Sequence, residues 1–65
     1  MSIGKRIKEE RLKRNLKQIE LSKKAGISNT YLSDIEHDRV NPSLNTLKNI
    51  SSALKIDFKE LIWVI

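Results

Sequence analysis

Ser28 to Val40 reads SNTYLSDIEHDRV and carries three carboxylates (Asp34, Glu36, Asp38) against one arginine, Arg39, in a chain whose net charge is +5. Two chemistries suggest themselves for such a stretch. Ser33, Asp34 and His37 have the side-chain types of a hydrolytic triad, but three neighbours on one exposed helix offer neither an oxyanion hole nor a pocket, so catalysis is set aside. The other chemistry is hydrogen bonding from a polar face. At roughly 100° per residue Asn29, Thr30, Ser33, Asp34 and His37 share one arc, opposite Leu32 and Ile35 with Tyr31 at the margin. One arc is core and the other is free.

The charge that a polyanion would meet lies elsewhere. Residues 1–24 hold nine basic and three acidic residues, leaving +6, whereas the remaining 41 hold four basic and five acidic, leaving −1. The asymmetry points to a polyanion docking on one side of the molecule, the plainer reading being a solvated helix face. Sixty-five residues with 38% hydrophobic content form one small domain, residues 1–65, of marginal stability. With no cysteine and one histidine, neither disulfides, thiolate metal sites nor a histidine cage can be built. The longest apolar run, LIWVI, is far too short to cross a bilayer, and the N-terminus lacks a signal-peptide core. The expectation is a soluble, cytoplasmic protein without a cofactor, membrane association or evident small-molecule ligand.

The elements that must position the polar arc read as all-α, because glycine and proline are scarce and apolar residues recur at helical spacing. Five helices are expected. Ser2 caps the first, which runs to about Arg14 with Ile3 and Ile7 inward; Glu10 interrupts that stripe and Leu12 lies off it. The second spans about Gln18 to Ala25, buries Leu21 and Ala25, and ends at Gly26 in the left-handed conformation. Ser28 caps the third, about Asn29 to Glu36. Pro42 pushes Asn41 out of helical geometry, and Ser43 caps a fourth helix whose Leu44, Leu47, Ile50 and Leu54 form the next apolar repeat. Asp57 caps a short last helix carrying Phe58, Leu61 and Ile62.

The apolar spacing of Gln18–Glu36 around Gly26 suits two short helices that cross over a tight turn and present the second outward. The blocks IGKRIKEERL, LKQIELSKKAGIS, YLSDIE and NPSLNTLKNISSALKI, in that order and spacing, resemble the helix-turn-helix of phage repressor and Cro proteins and the small XRE-like bacterial regulators related to them. The resemblance covers about residues 3–62. It implies a compact five-helix, lambda-repressor-like DNA-binding domain, with the helix-turn-helix at about residues 18–36 and the third helix in the major groove.

By position, the resemblance assigns Asn29, Thr30, Ser33 and Asp34 to base edges. Gln18 is assigned to a phosphate and to bracing the recognition helix, and Arg39 and Asn41 to phosphates. Lys17 and Tyr31 are possible further phosphate contacts, and Arg11 with Glu36 would form a buried ion pair. The cationic charge then need not be on the reader, since affinity comes mainly from phosphate neutralisation and sequence from hydrogen bonds at base edges. Asn29 can pair with adenine, Thr30 can bond a base or touch a thymine methyl, and Asp34 can accept from cytosine N4.

Three positions depart from the family pattern. Lys17 stands where Thr or Ser caps the second helix, the Ser22 hydroxyl needs a partner near the helix crossing, and Asp38 takes a place where glycine is common and φ is positive. Lys5, Arg6, Lys8, Lys13 and Arg14 ring the first helix and read mostly as solubilising. Ile19, Trp63, Val64 and Ile65 have no evident core slot, and Trp63 either covers the end of the core or anchors a homodimer. The implied partner is a double-stranded DNA operator bound by a dimer. The alternative is an antitoxin or other protein-interaction module that retained the fold, motivated by the apolar LIWVI tail and the acidic third helix.

Overall fold

The structure, a computed structural model, describes residues 2–63 as five helices: α1 (Ile3–Lys13), α2 (Gln18–Ala25), α3 (Asn29–Glu36), α4 (Leu44–Leu54) and α5 (Phe58–Ile62). Four starts are capped by the predicted side chains. Ser2, Ser28 and Ser43 accept the amides of Lys5, Tyr31 and Thr46 at 3.0–3.1 Å, and Asp57 accepts that of Lys59 at 2.9 Å. At α2 Lys17 has no acceptor to offer. Glu20 instead reaches back to the Lys17 amide at 2.8 Å, forming half of a capping box.

Four of the five helix ends share one device. Asn15, Gly26, Asp38 and Lys55 have φ of 56°, 71°, 60° and 57°. In each case the next residue's amide donates to a carbonyl five positions back: Leu16 to Arg11, Ile27 to Ser22, Arg39 to Asp34 and Ile56 to Ser51, at 2.9–3.1 Å. This Schellman closure satisfies carbonyls that the helix leaves open and reverses the chain within one residue. Only one of the four positions is glycine, the residue that adopts positive φ without strain. Asp38 adopts the left-handed conformation anticipated for it.

The core is a single cluster of Ile7, Leu21, Ala25, Leu32, Ile35, Leu47, Ile50, Leu54 and Leu61, with Ile3, Leu16, Ile27, Tyr31, Phe58 and Ile62 packed around it. α2 lies against α3 and α4, and α1 touches α3, α4 and α5. Each helix thus gives one stripe to a common interior, which is how short helices that are marginal alone become stable together. Ser22, buried beside these residues, donates its hydroxyl to the Ile19 carbonyl at 2.9 Å.

Two sequence readings need correction. Leu44 is not core; it is 66% exposed. At roughly 100° per residue it sits about 90° from the mean direction of Leu47, Ile50 and Leu54, so the three-residue spacing misleads at the first turn. The basic residues of α1 are also less uniformly solubilising than expected. Arg14 donates Nε to the Leu54 carbonyl at 2.7 Å and Nη1 to the Glu10 carboxylate at 2.7 Å, and Arg6 contacts the same carboxylate at 3.0 Å. Glu10, which interrupts the apolar stripe, is therefore buried as an ionic hub that Lys13 completes at 3.3 Å. The Arg14 hydrogen bond, opposed by burial and aided by Lys13 and Arg6, holds the Glu10 carboxyl below its ordinary value of 4.5.

Ile19 is exposed, Trp63 is 85% exposed at the end of α5, and Val64 and Ile65 fall outside the described residues. No helix among the described residues is long and apolar enough to cross a membrane. No cluster of three or more His, Cys, Asp or Glu among them could hold a metal ion.

Candidate nucleic-acid interface

α2 and α3 are eight residues each, joined by Gly26, Ile27 and Ser28. The left-handed Gly26 turns the chain, and the Ile27 amide closes onto the Ser22 carbonyl at 3.0 Å. Ser28, extended at φ −72° and ψ 154°, then starts α3 with its side chain on the Tyr31 amide. The first exposed side chains after the turn are Asn29 and Thr30. Leu32 and Ile35 point the opposite way and are buried, so the two arcs expected from the sequence are present.

The proposed quartet divides in two. Asn29 and Thr30 are fully on the surface, whereas Ser33 and Asp34, one turn further on, are half-buried. His37 Nδ1 lies 2.8 Å from the Ser33 carbonyl, a contact that requires the nitrogen to donate, and 3.5 Å from the Ser33 hydroxyl. A nitrogen so occupied is no base for that hydroxyl, which is a geometric argument against the hydrolytic reading.

The base of α3 is fixed by charge. Arg11 donates Nε to Glu36 Oε2 at 2.8 Å and Nη2 to Oε1 at 3.0 Å, a two-pronged pair whose side chains are 9% and 0% exposed. The third guanidinium nitrogen, Nη1, donates to the Leu16 carbonyl at 2.9 Å, and the Gln18 amide donates to Glu36 Oε1 at 3.1 Å. A buried carboxylate with three donors and a buried guanidinium with three acceptors meet the condition under which such a pair is tolerable in a small core. The network joins α1, the α1–α2 connection, the start of α2 and the end of α3. Gln18 thereby braces the end of α3 through Glu36.

Surrounding these are the other residues singled out. Lys17 is exposed at the start of α2, Tyr31 is half-buried against the core, and Arg39 and Asn41 are exposed in the loop between α3 and α4. The Arg39 guanidinium is 3.4 Å from Asp34. What the sequence did not reveal is the latch below them: the Ser2 hydroxyl donates to Asp38 Oδ2 at 2.8 Å while also capping α1. Gly4 passes so close to the end of α3 that a methyl group there would collide with the Ile35 carbonyl oxygen and the Asp38 carboxylate. The only sequence signal for this approach was a glycine in an otherwise well-formed helix.

Two short helices linked through a left-handed glycine, the second braced from beneath and presenting an uncharged polar tip, define a helix-turn-helix protein. The chain belongs to the helix-turn-helix family, whose sequence pattern matches residues 7–61. It is 47% identical over 62 residues to the immunity repressor protein of Bacillus phage phi105, a match that covers 95% of this chain and 43% of that repressor. The chain thus spans less than half of that relative's length. Its fold is similar to the restriction-modification controller protein C.AhdI from Aeromonas hydrophila, with a TM-score of 0.90, 30% identity, and coverage of 92% and 91% of the two chains. It is also similar to SinR, the master regulator for biofilm formation, in its complex with DNA: TM-score 0.88, 37% identity, coverage of 94% and 98%.

Proposed function

We propose that the chain is a sequence-specific double-stranded DNA-binding transcriptional regulator, a repressor, that reads the major groove with α3 as a dimer on a two-fold operator. The observation that carries this reading is the exposed Asn29–Thr30 tip on a helix whose other end is locked by Arg11, Glu36 and Gln18. A base reader must be held rigidly and yet leave its hydrogen-bonding groups unspent. Asn29, Thr30, Ser33 and Asp34 take the base edges. Lys17, Gln18, Tyr31, Arg39 and Asn41 take the backbone, with Gln18 able to serve a phosphate through the amide that also meets Glu36. The similarity to SinR in its complex with DNA supports the DNA-binding reading.

Two modules give a half-site separation of roughly 34 Å and multiply two weak affinities, which a domain this small needs. Trp63, exposed beside Arg6, Lys59 and Glu60, supports the dimer because exposed tryptophans are frequent interface anchors. The site of action is the cytoplasm, where the operator is, and the role is binding rather than catalysis. In vitro selection from random duplex DNA, with sedimentation of free and bound protein, tests the proposal. A two-fold consensus bound by two chains, with a steep salt dependence, is expected; recovery of no consensus, with binding equal to that of random DNA, overturns it.

A further inference from the structure

Asp34 and Arg39 are five residues apart, at an interval that does not place side chains together on a continuous helix. They meet because α3 ends in the left-handed Asp38. The reversal puts the Arg39 amide on the Asp34 carbonyl at 2.9 Å and returns the Arg39 guanidinium to 3.4 Å from Asp34 Oδ1. The two side chains are 63% and 33% exposed, so solvent reaches the pair, and at roughly 100° per residue Asp34 lies at the edge of the arc that carries Asn29 and Thr30. One member belongs to the reading helix, and the other to the loop assigned to phosphates. In the free protein each occupies the other's charge.

We propose that Asp34 and Arg39 form a base-gated pair, in which donation from a cytosine amino group to Asp34 releases the Arg39 guanidinium to a DNA phosphate. This rests on the reading of α3 as the major-groove element. An ionised carboxylate only accepts hydrogen bonds. Cytosine N4 supplies a donor in the major groove; in a T·A pair the donor, adenine N6, lies across on the other strand, and thymine O4 and guanine O6 and N7 present acceptors that repel the carboxylate. Opposite thymine or guanine the carboxylate has no better partner than Arg39, and the loop cation stays neutralised. Opposite cytosine the base donor shares the carboxylate's charge and weakens its long 3.4 Å hold on Arg39, so the guanidinium turns to the backbone and adds one phosphate contact. A single base step thereby controls both a hydrogen bond and a phosphate contact. The pair also explains how an acidic residue on the reading face is useful: it keeps Arg39 from strengthening binding to the wrong sequence.

The test uses the best selected duplex and the same duplex with each C·G pair replaced in turn by T·A. Wild type, Asp34→Ala, Arg39→Ala and the double variant are compared, with thermal melting of each as a check on folding. For wild type, one replacement should reduce the slope of log K against log salt by about 0.9, the value of one lost phosphate contact. Asp34→Ala should make the two slopes equal and raise affinity for the replaced duplex about two- to fivefold, the range of a solvent-facing ion pair. With Arg39→Ala in place the same change should raise it by no more than about half as much, because the cation it frees is gone. Equal rises in both backgrounds, or a wild-type slope that no replacement alters, would overturn the gated pair while leaving operator recognition intact. Failure of every variant to prefer the selected duplex would instead overturn the underlying reading of α3.

Discussion

The two ends of α3 are built on opposite plans. At the C-terminal end Glu36 is buried under donors from Arg11 and Gln18, Asp38 accepts from Ser2, and Gly4 presses against the Ile35 carbonyl. At the N-terminal end a single serine caps the helix, and Asn29 and Thr30 stand in solvent. One end uses its polar groups to fix direction, and the other keeps them available for a ligand. The contrast turns the most strongly bonded carboxylate of α3, Glu36, inward and leaves the exposed start of the helix, Asn29 and Thr30, without charge.

If that division is correct, substitutions at the two ends should separate into stability effects and recognition effects. The largest is expected at Arg11. Arg11→Met strips Glu36 of its ionic partner while the carboxylate remains buried, a loss of about 3–5 kcal/mol that is comparable to the whole stability of a domain this size. Chemical denaturation measures it. Arg11→Met combined with Glu36→Leu should recover most of the loss, because apolar replacement of both partners removes the stranded charge. Gly4→Ala should cost about 1–3 kcal/mol by the same measurement, since its methyl meets backbone oxygen that cannot rotate away.

At the other end Thr30→Ala should weaken binding to the selected operator by about 1–3 kcal/mol and relax discrimination at one base step, with the melting temperature held. Arg39→Ala, by contrast, should weaken binding while leaving most base preferences in place. The smallest effect belongs to Glu10, away from both ends of α3. Its carboxyl is held below the usual value of 4.5 in the folded chain, chiefly by the Arg14 hydrogen bond. The stability it supplies is therefore complete above the unfolded value and is lost as pH falls through the lower folded one. An acid titration of Glu10→Gln, followed by circular dichroism, should show a shallower loss of stability below about pH 4.5 than wild type.

The helices were legible because their signals are local. Ser28 before a helical stripe and Gly26 after one set the limits of α2 and α3, and the spacing of Leu32 and Ile35 sorted the faces of α3. The Arg11–Glu36 pair was legible by resemblance alone, as 25 residues separate the partners. Contacts with no repeating pattern stayed hidden. Ser2 reaching Asp38, 36 residues away, depends on how chain segments are arranged in space. Arg6, Lys13 and Arg14, by contrast, stand three or four residues from Glu10, a local helical spacing that the reading of them as solubilising passed over. Leu44 shows the converse error, where a regular interval suggested burial that the angle around the helix forbids.

The most direct test measures Asn29→Ala against a panel of operator duplexes carrying each base pair at each position, beside its thermal melting curve. The division of α3 into a locked end and a reading end predicts an unchanged melting temperature and loss of preference confined to one base step. An even loss of affinity across the panel, or full discrimination with Asn29 gone, would contradict it.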